Sequence, residues 1–266
     1  MKVIVVGCGW LGSQLAQQLA SEGHQVWATR RTVEALATLP AQVHGLVVDL
    51  TNIADITPLQ PVFDDAIVIC AVAPGRHTEQ SHYIAALQQL ARLATTAGSR
   101  QLIHFSSTGI YQGLSGAVDE AAMLVQADTR VSLLLQGEQA LQQFAPTLTL
   151  RLAGLMGPGR HPGRFITGRV LPDANGAINM VHVWDVIAAV MQVLAALPCE
   201  GIYNLSSPLM ETRQAFYHAA AELALQTPAS FSGGDAGRKI VAGKFIQQFG
   251  FRYQFSQASA ALIYCD

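Results

Sequence analysis

The sequence predicts a doubly wound α/β protein, a parallel sheet covered on both faces, with a small carboxy-terminal lobe. Short apolar, β-branched runs alternate with amphipathic helical stretches over the first two hundred residues. The runs are apolar throughout rather than every second residue, the pattern of strands covered on both faces. With 266 residues, half of them apolar, the chain can hide roughly three quarters of its surface without disulfides or a structural metal.

Lys2 to Val6 is the first strand and stops at glycine. Trp10 to Glu22 then sets Leu11, Leu15 and Leu19 with Ala16 and Ala20 at helical spacing. Gly23 ends that helix and His24 to Thr29 supplies a second strand, so the first thirty residues form a βαβ unit. Further strands are expected at Val43 to Leu50, Ala66 to Val72, Gln101 to Ser106, Thr147 to Leu152 and Gly201 to Leu205. Helices are expected at Thr78 to Ala97, Ser132 to Phe144 and Val186 to Leu197, and Asp64-Asp65 reads as a turn. After Leu152 glycine, proline and arginine dominate as far as Arg169, and the segment beyond Ser206 is helical and then irregular.

Composition excludes several classes. Sixteen basic and eighteen acidic side chains leave a formal charge of -2, with no overall basic field for nucleic acid or anionic lipid. The longest apolar stretches, Ala66 to Pro74 and Val186 to Leu197, are too short to span a bilayer. Cys8, Cys70, Cys199 and Cys265 form no C-x-x-C pair and follow no signal peptide, which points to reduced thiols in the cytoplasm. No metal site is expected, because His77 and His82 are five apart and miss the shared helix face of H-E-x-x-H. G-x-S-x-G and the Walker lysine loop are also absent.

Gly7-Cys8-Gly9-Trp10-Leu11-Gly12 fits G-x-G-x-x-G between a strand and a helix. The first glycine permits the turn, the second lets backbone approach a pyrophosphate, and the third lets helix and strand pack closely. Cofactor contacts are therefore expected from Gly7, Gly9, Trp10, Leu11 and Gly12, with the phosphates on the helix N-terminus. This is the dinucleotide-binding form of the fold, the Rossmann arrangement, assigned to residues 1–158 with 182–205. Residues 159–181 with 206–266 form the small substrate lobe. At the end of strand two, where an NAD site places a carboxylate, Thr29-Arg30-Arg31 stands instead. Guanidinium groups suit a 2′-phosphate, so NADP is preferred to NAD, with Arg30 ahead of Arg31; the alternative is a solvated charged loop. Asp49-Leu50, ending strand three, is placed to flank the adenine.

Ser106-Ser107-Thr108 follows strand five, at the carboxyl edge of the sheet where ligands bind, and Tyr111 comes shortly after. Together with Asp49-Leu50, Ala71-Val72-Ala73, Leu150-Arg151, Gly157-Pro158-Gly159, Val181-His182-Val183-x-Asp185 and Tyr203-Asn204, this ordered set resembles the extended short-chain dehydrogenase/reductases, the NAD-dependent epimerase/dehydratase family. The resemblance covers essentially the whole chain. It implies that Ala71, Val72 and Ala73 lie beside the cofactor and that Ser107 hydrogen-bonds the reacting oxygen. It also implies a Tyr-x-x-x-Lys pair on the next helix, and here the chain departs. Aligning Glu138 with the family's acidic position puts Arg130 at the tyrosine and Leu134 at the lysine. Thirteen of the basic residues are arginine, and no lysine occurs from Val3 to Arg238. The chain thus resembles an atypical member of that family.

Tyr111 is then the remaining candidate proton donor, with an ordinary pKa near 10; the alternative is a ring packed at the cleft mouth. Arg130 cannot act as a base but can polarise an oxygen or bind phosphate. Arg160-His161-Pro162-Gly163-Arg164-Phe165 lies where relatives close over substrate, and Arg160, His161, Arg164 and Arg169 are the candidate substrate-anion ligands, against the alternative of a basic surface loop. His182 and Asp185 read as structural, with Asp185 at an N-cap. The leading expectation is an NADP-dependent oxidoreductase or isomerase acting on a nucleotide sugar or another small anionic carbonyl or hydroxyl compound. The rival is a cofactor-binding sensor or partner-binding protein that has lost the catalytic pair. The helices at 78–97 and 132–144 would allow a homodimer like that of relatives.

Overall fold

The alternation in the sequence becomes an alternation of strands and helices in space. This computed structural model describes residues 1–52, 55–75, 80–234 and 237–266. The central strands are β1 (Lys2–Val6), β2 (Gln25–Arg30), β3 (His44–Val47), β4 (Ile67–Cys70), β5 (Gln101–Ser107), β6 (Thr147–Leu152) and β7 (Gly201–Leu205). Among the described residues they form one seven-stranded sheet in the order β7-β6-β5-β4-β1-β2-β3. β1 is parallel to β2 and β4, β2 to β3, and β4 to β5. The strand order reverses between β1 and β4, and in open α/β sheets the ligand crevice lies at the carboxyl ends flanking that switch.

The helices are α1 (Trp10–Ser21), α2 (Val33–Leu36), α3 (Gln60–Phe63), α4 (Gln80–Ala97), α5 (Thr129–Leu141), α6 (Val183–Ala195), α7 (Arg213–Leu223) and α8 (Gly243–Phe249). Successive β1 side chains point to opposite faces. Ile4 and Val6 join Val68, Leu102 and the α4 residues Leu87, Leu90 and Leu93 in one buried cluster. Val5 turns the other way, where a Cβ on Gly12 of α1 would lie 3.3 Å from Val5 Cγ1. Helices on both faces explain why the strands are apolar throughout.

The chain divides into two compact units. The first comprises Met1–Ser106, Thr129–Leu150 and Ala196–Ile202; the second comprises Ser107–Asp128, Arg151–Ala195 and Tyr203–Asp266. This differs from the division expected from sequence texture, because 107–128, 151–158, 182–195 and 203–205 go with the carboxy-terminal segments. Two small parallel pairs account for it: Gly154–Met156 with Met180–His182, and Gly116–Val118 with Arg238–Ile240.

α5 starts and ends about one turn earlier than its apolar pattern suggests, and α6 begins at Val183. Asp185 is therefore not an N-cap. It is buried in the first turn, where its carboxylate accepts the N–H groups of Gln254 at 2.6 Å and Phe255 at 3.3 Å. The Trp184 N–H donates instead to His182 Nδ1 at 3.2 Å. Residues 64 and 65 form the expected turn, with Asp65 at φ +53°. His77, and Thr78 as the start of the fourth helix, lie outside the described residues. The four cysteines form no disulfide. Among the described residues no helix is long and apolar enough to cross a membrane.

Candidate functional site

Three glycines shape the end of β1, each for its own reason. Gly7 has φ +84°, and a Cβ there would lie 2.9 Å from the Val72 amide nitrogen, so no other residue fits without strain. Its N–H donates to Thr29 Oγ1 at 3.0 Å, and the Cys8 N–H to the Thr29 carbonyl at 3.3 Å, which ties the loop to the end of β2. Gly12 is the close-packing position, where a Cβ would lie 3.0 Å from the Gly7 carbonyl oxygen. Gly9 is different. It is the N-cap of α1 with no side chain to cap it, and the nearest atom to a Cβ there is 4.0 Å away. The space beyond the α1 N-terminus is open, at the positive end of the helix dipole.

A cleft of about 340 Å³ opens there, within the range of small-molecule sites. Gly7 and Gly9 line it with Arg30 and Arg31 from the end of β2, and with Asp49 and Leu50 after β3. Ala71, Val72 and Ala73 after β4 line it as expected. Trp10, Leu11 and Gly12 do not line it; Leu11 and Gly12 are buried on the core face of α1. Among the lining residues that were not anticipated are Thr51, His82 and Tyr83. Thr51 had a legible signal, since Asp49-x-Thr51 is an Asx-turn spacing. Its hydroxyl and N–H both donate to Asp49 Oδ1, at 2.7 and 3.0 Å. Those two bonds hold the Asp49 carboxyl below the usual carboxylate range, with help from the Arg31 charge. Tyr83 is buried against Gly137 of α5, and desolvation pushes its phenol well above the tyrosine range.

Arg30 is the group at the end of β2. Its Nη2 donates to Ser13 Oγ at 3.2 Å and Thr38 Oγ1 at 3.0 Å, while its Nε is buried with no hydrogen-bond partner. A nicotinamide dinucleotide fits these residues: Gly9 leaves a cradle that a side chain would fill, and Arg30 lines the same cleft.

In the same unit, Ser106 at the end of β5 donates to the buried Glu138 carboxylate at 2.6 Å. His104, two residues earlier, is fully buried with neither ring nitrogen hydrogen-bonded. Burial lowers its pKa to about 4, against a smaller opposing pull from Glu138. Arg130 is exposed on α5, and Leu134, one turn on, is buried.

In the second unit, half-buried Ser107 caps a short 3-10 turn, Thr108–Tyr111, by accepting the Gly109 N–H at 3.0 Å. Accepting that bond leaves the hydroxyl its own proton to donate. Tyr111 is 0% exposed, not at a cleft mouth. Its hydroxyl donates to Asn204 Oδ1 at 2.9 Å and accepts from Arg151 Nη1 at 2.8 Å. Burial pushes this phenol up, and the Arg151 charge pulls it partly back. Arg160, Arg164 and Arg169 are all exposed, and Arg164 Nη2 pairs with Asp266 Oδ1 at 2.6 Å. His161 turns inward: it is 1% exposed, and its Nδ1 accepts the Gly163 N–H at 3.1 Å to cap the turn Pro162–Phe165.

A parallel sheet with a glycine cradle at its topological switch defines a nicotinamide-dinucleotide-binding protein of the Rossmann type. Residues 7–145 match the family described as NAD(P)H-binding, and the chain belongs to that family. It is 35% identical over 263 residues to Protein YeeZ of Escherichia coli (strain K12), covering 96% of each chain. Among solved structures, MoeE5 in complex with UDP-glucose and NAD superimposes with a TM-score of 0.81 at 20% identity, covering 100% of this chain and 97% of that one. UDP-glucuronic acid 4-epimerase from Bacillus cereus in complex with NAD gives 0.79 at 17% identity, covering 100% and 98%. The fold is that of NAD-dependent epimerase/dehydratases.

Proposed function

We propose that the protein is an NADP-preferring oxidoreductase or isomerase of the epimerase/dehydratase type, acting on a nucleotide sugar or another small anionic carbonyl or hydroxyl compound. The observation that carries this reading is the open cradle at Gly9 with Arg30, rather than a carboxylate, at the end of β2. Similarity to proteins crystallised with NAD and UDP-glucose supports the substrate class. A nicotinamide bound in the cleft supplies or accepts hydride. Gly7 and Gly9, at the N-terminus of α1, hold the diphosphate, and Asp49 and Leu50 flank the adenine.

Ser107 donates its hydroxyl proton to the reacting oxygen and orients it. Arg160 and Arg169 offer guanidinium forks to the substrate's anion, and Arg164 exchanges Asp266 for it, because an exposed ion pair of this kind is weak. Tyr111 takes no part in the proton transfer, since both bonds of its hydroxyl are made inside the unit. That same burial, with no lysine from Val3 to Arg238, favours a second reading: a cofactor-binding sensor that has kept the fold without the chemistry.

A panel of nucleotide sugars assayed with NADPH separates the two. Turnover of at least one compound, lost in Ser107→Ala, is expected of the enzyme. Tight cofactor binding with every compound untouched, and Ser107→Ala silent in cells, is the sensor's result.

A further inference from the structure

The hydrogen bonds around Arg30 hold more than a glycine motif requires. Two hydroxyls accept from its Nη2, Ser13 Oγ on α1 and Thr38 Oγ1 just beyond α2. Each has committed its own proton elsewhere: Thr38 donates to the Ala35 carbonyl at 2.8 Å, and Ser13 to the Cys8 carbonyl at 3.3 Å. Both oxygens therefore present lone pairs to the arginine and are not free to turn a proton toward it. The guanidinium is pinned from two elements, so its plane is set before any ligand arrives.

Arg30 lines the cleft, and its Nε is buried without a partner. Buried donors are rarely left in this state unless a ligand or water meets them. With both Nη2 protons given to the hydroxyls, Nη1 is the guanidinium nitrogen left to make a charge-assisted bond to a phosphate oxygen. The diphosphate of the cofactor belongs at the α1 N-terminus, which leaves a phosphate monoester on the adenosine ribose as the group for the end of β2. Arg31 is the weaker candidate, because its charge already acts on Asp49.

We propose that Thr38 and Ser13 are positioning residues that determine cofactor specificity: they preset Arg30 to grip the ribose phosphate that distinguishes NADP from NAD. The proposal deepens the NADP reading above and rests on it. Preorganisation of this kind gives affinity by removing an ordering cost at binding. Neither hydroxyl reaches the phosphate itself; both act through Arg30.

Thr38 is exposed, so Thr38→Val removes one acceptor and leaves the core intact. The test is a fluorescence titration of the intact protein with NADPH and with NADH, for the parent, Arg30→Ala, Thr38→Val and Thr38→Ser. The expected result is a parent that prefers NADPH, and an Arg30→Ala variant whose NADPH affinity falls about 10- to 100-fold, far more than its NADH affinity. Thr38→Val should weaken NADPH about fivefold without moving NADH, and Thr38→Ser should restore it. A merely structural loosening would weaken both nucleotides together, and that outcome overturns the proposal. If Arg30→Ala is selective and Thr38→Val is not, the positioning role falls and the NADP reading stands. If the parent favours NADH, or Arg30→Ala weakens both equally, the NADP reading itself falls and takes the proposal with it.

Discussion

At the carboxyl ends of β1 and β2, polar groups are left with bonding capacity to spare: Gly9 caps α1 with nothing over it, and Arg30 keeps a buried Nε unpaired. Around Tyr111 the opposite holds. Its hydroxyl bonds Asn204 and Arg151, the Asn204 amide donates to the Val241 carbonyl at 3.0 Å, and the Asn204 N–H donates to Glu120 at 2.6 Å. The first region keeps open space and an unmet donor, and the second holds itself closed. A reactive residue type in a suggestive place therefore says little until its hydrogen bonds have been counted.

The comparison can be sharpened first at His104, a fully buried polar group with no hydrogen-bond partner, outside the lining of the cleft. Its folded pKa of about 4 lies below the unfolded value near 6.5, so below that value the unfolded chain takes up the proton first. Its contribution to stability is complete above about pH 6.5 and is lost as pH falls toward 4, by up to about 3 kcal/mol. Urea unfolding at pH 7 and pH 4.5 should show the loss, and His104→Leu should flatten it; an unchanged slope in the variant would place the acid sensitivity elsewhere.

Next in size is Ser107. Ser107→Ala should lower turnover of whichever substrate is accepted about 10- to 100-fold while dinucleotide affinity holds. Equal turnover in the variant would remove Ser107 from the chemistry. The smallest effect belongs to Tyr111. Tyr111→Phe strands Arg151 and Asn204 and should cost about 1 to 2 kcal/mol of stability, seen as a lower thermal midpoint, with cofactor affinity and turnover unchanged. Lost turnover with normal stability would return Tyr111 to the reaction.

Much of the nucleotide unit was legible because local rules decide it. β1, β6 and β7 lie at their expected residues, and Gly7 and Gly12 meet the turn and packing requirements their motif implies, while a Cβ on Gly9 would meet open space. What escaped depends on partners far along the chain. Asp185 has the residue type of an N-cap, but the N–H groups of Gln254 and Phe255 claim it. His161 belongs to the densest cationic run, yet its ring caps its own turn and faces inward. Thr38 carries no motif at all, and its bond to Arg30 exists only once α1, β2 and the segment after α2 have been brought together. The compact units likewise follow from strand pairs between 116–118 and 238–240 that no local composition announces.

The cofactor cradle is tested most directly at Gly9, because a side chain there meets open space rather than protein. Gly9→Val should unfold at the parent's temperature and bind NADPH more than about 100-fold more weakly in a fluorescence titration, the penalty of filling a site the backbone needs for close approach. A stable Gly9→Val protein that binds NADPH as tightly as the parent would show that the diphosphate does not lie on α1.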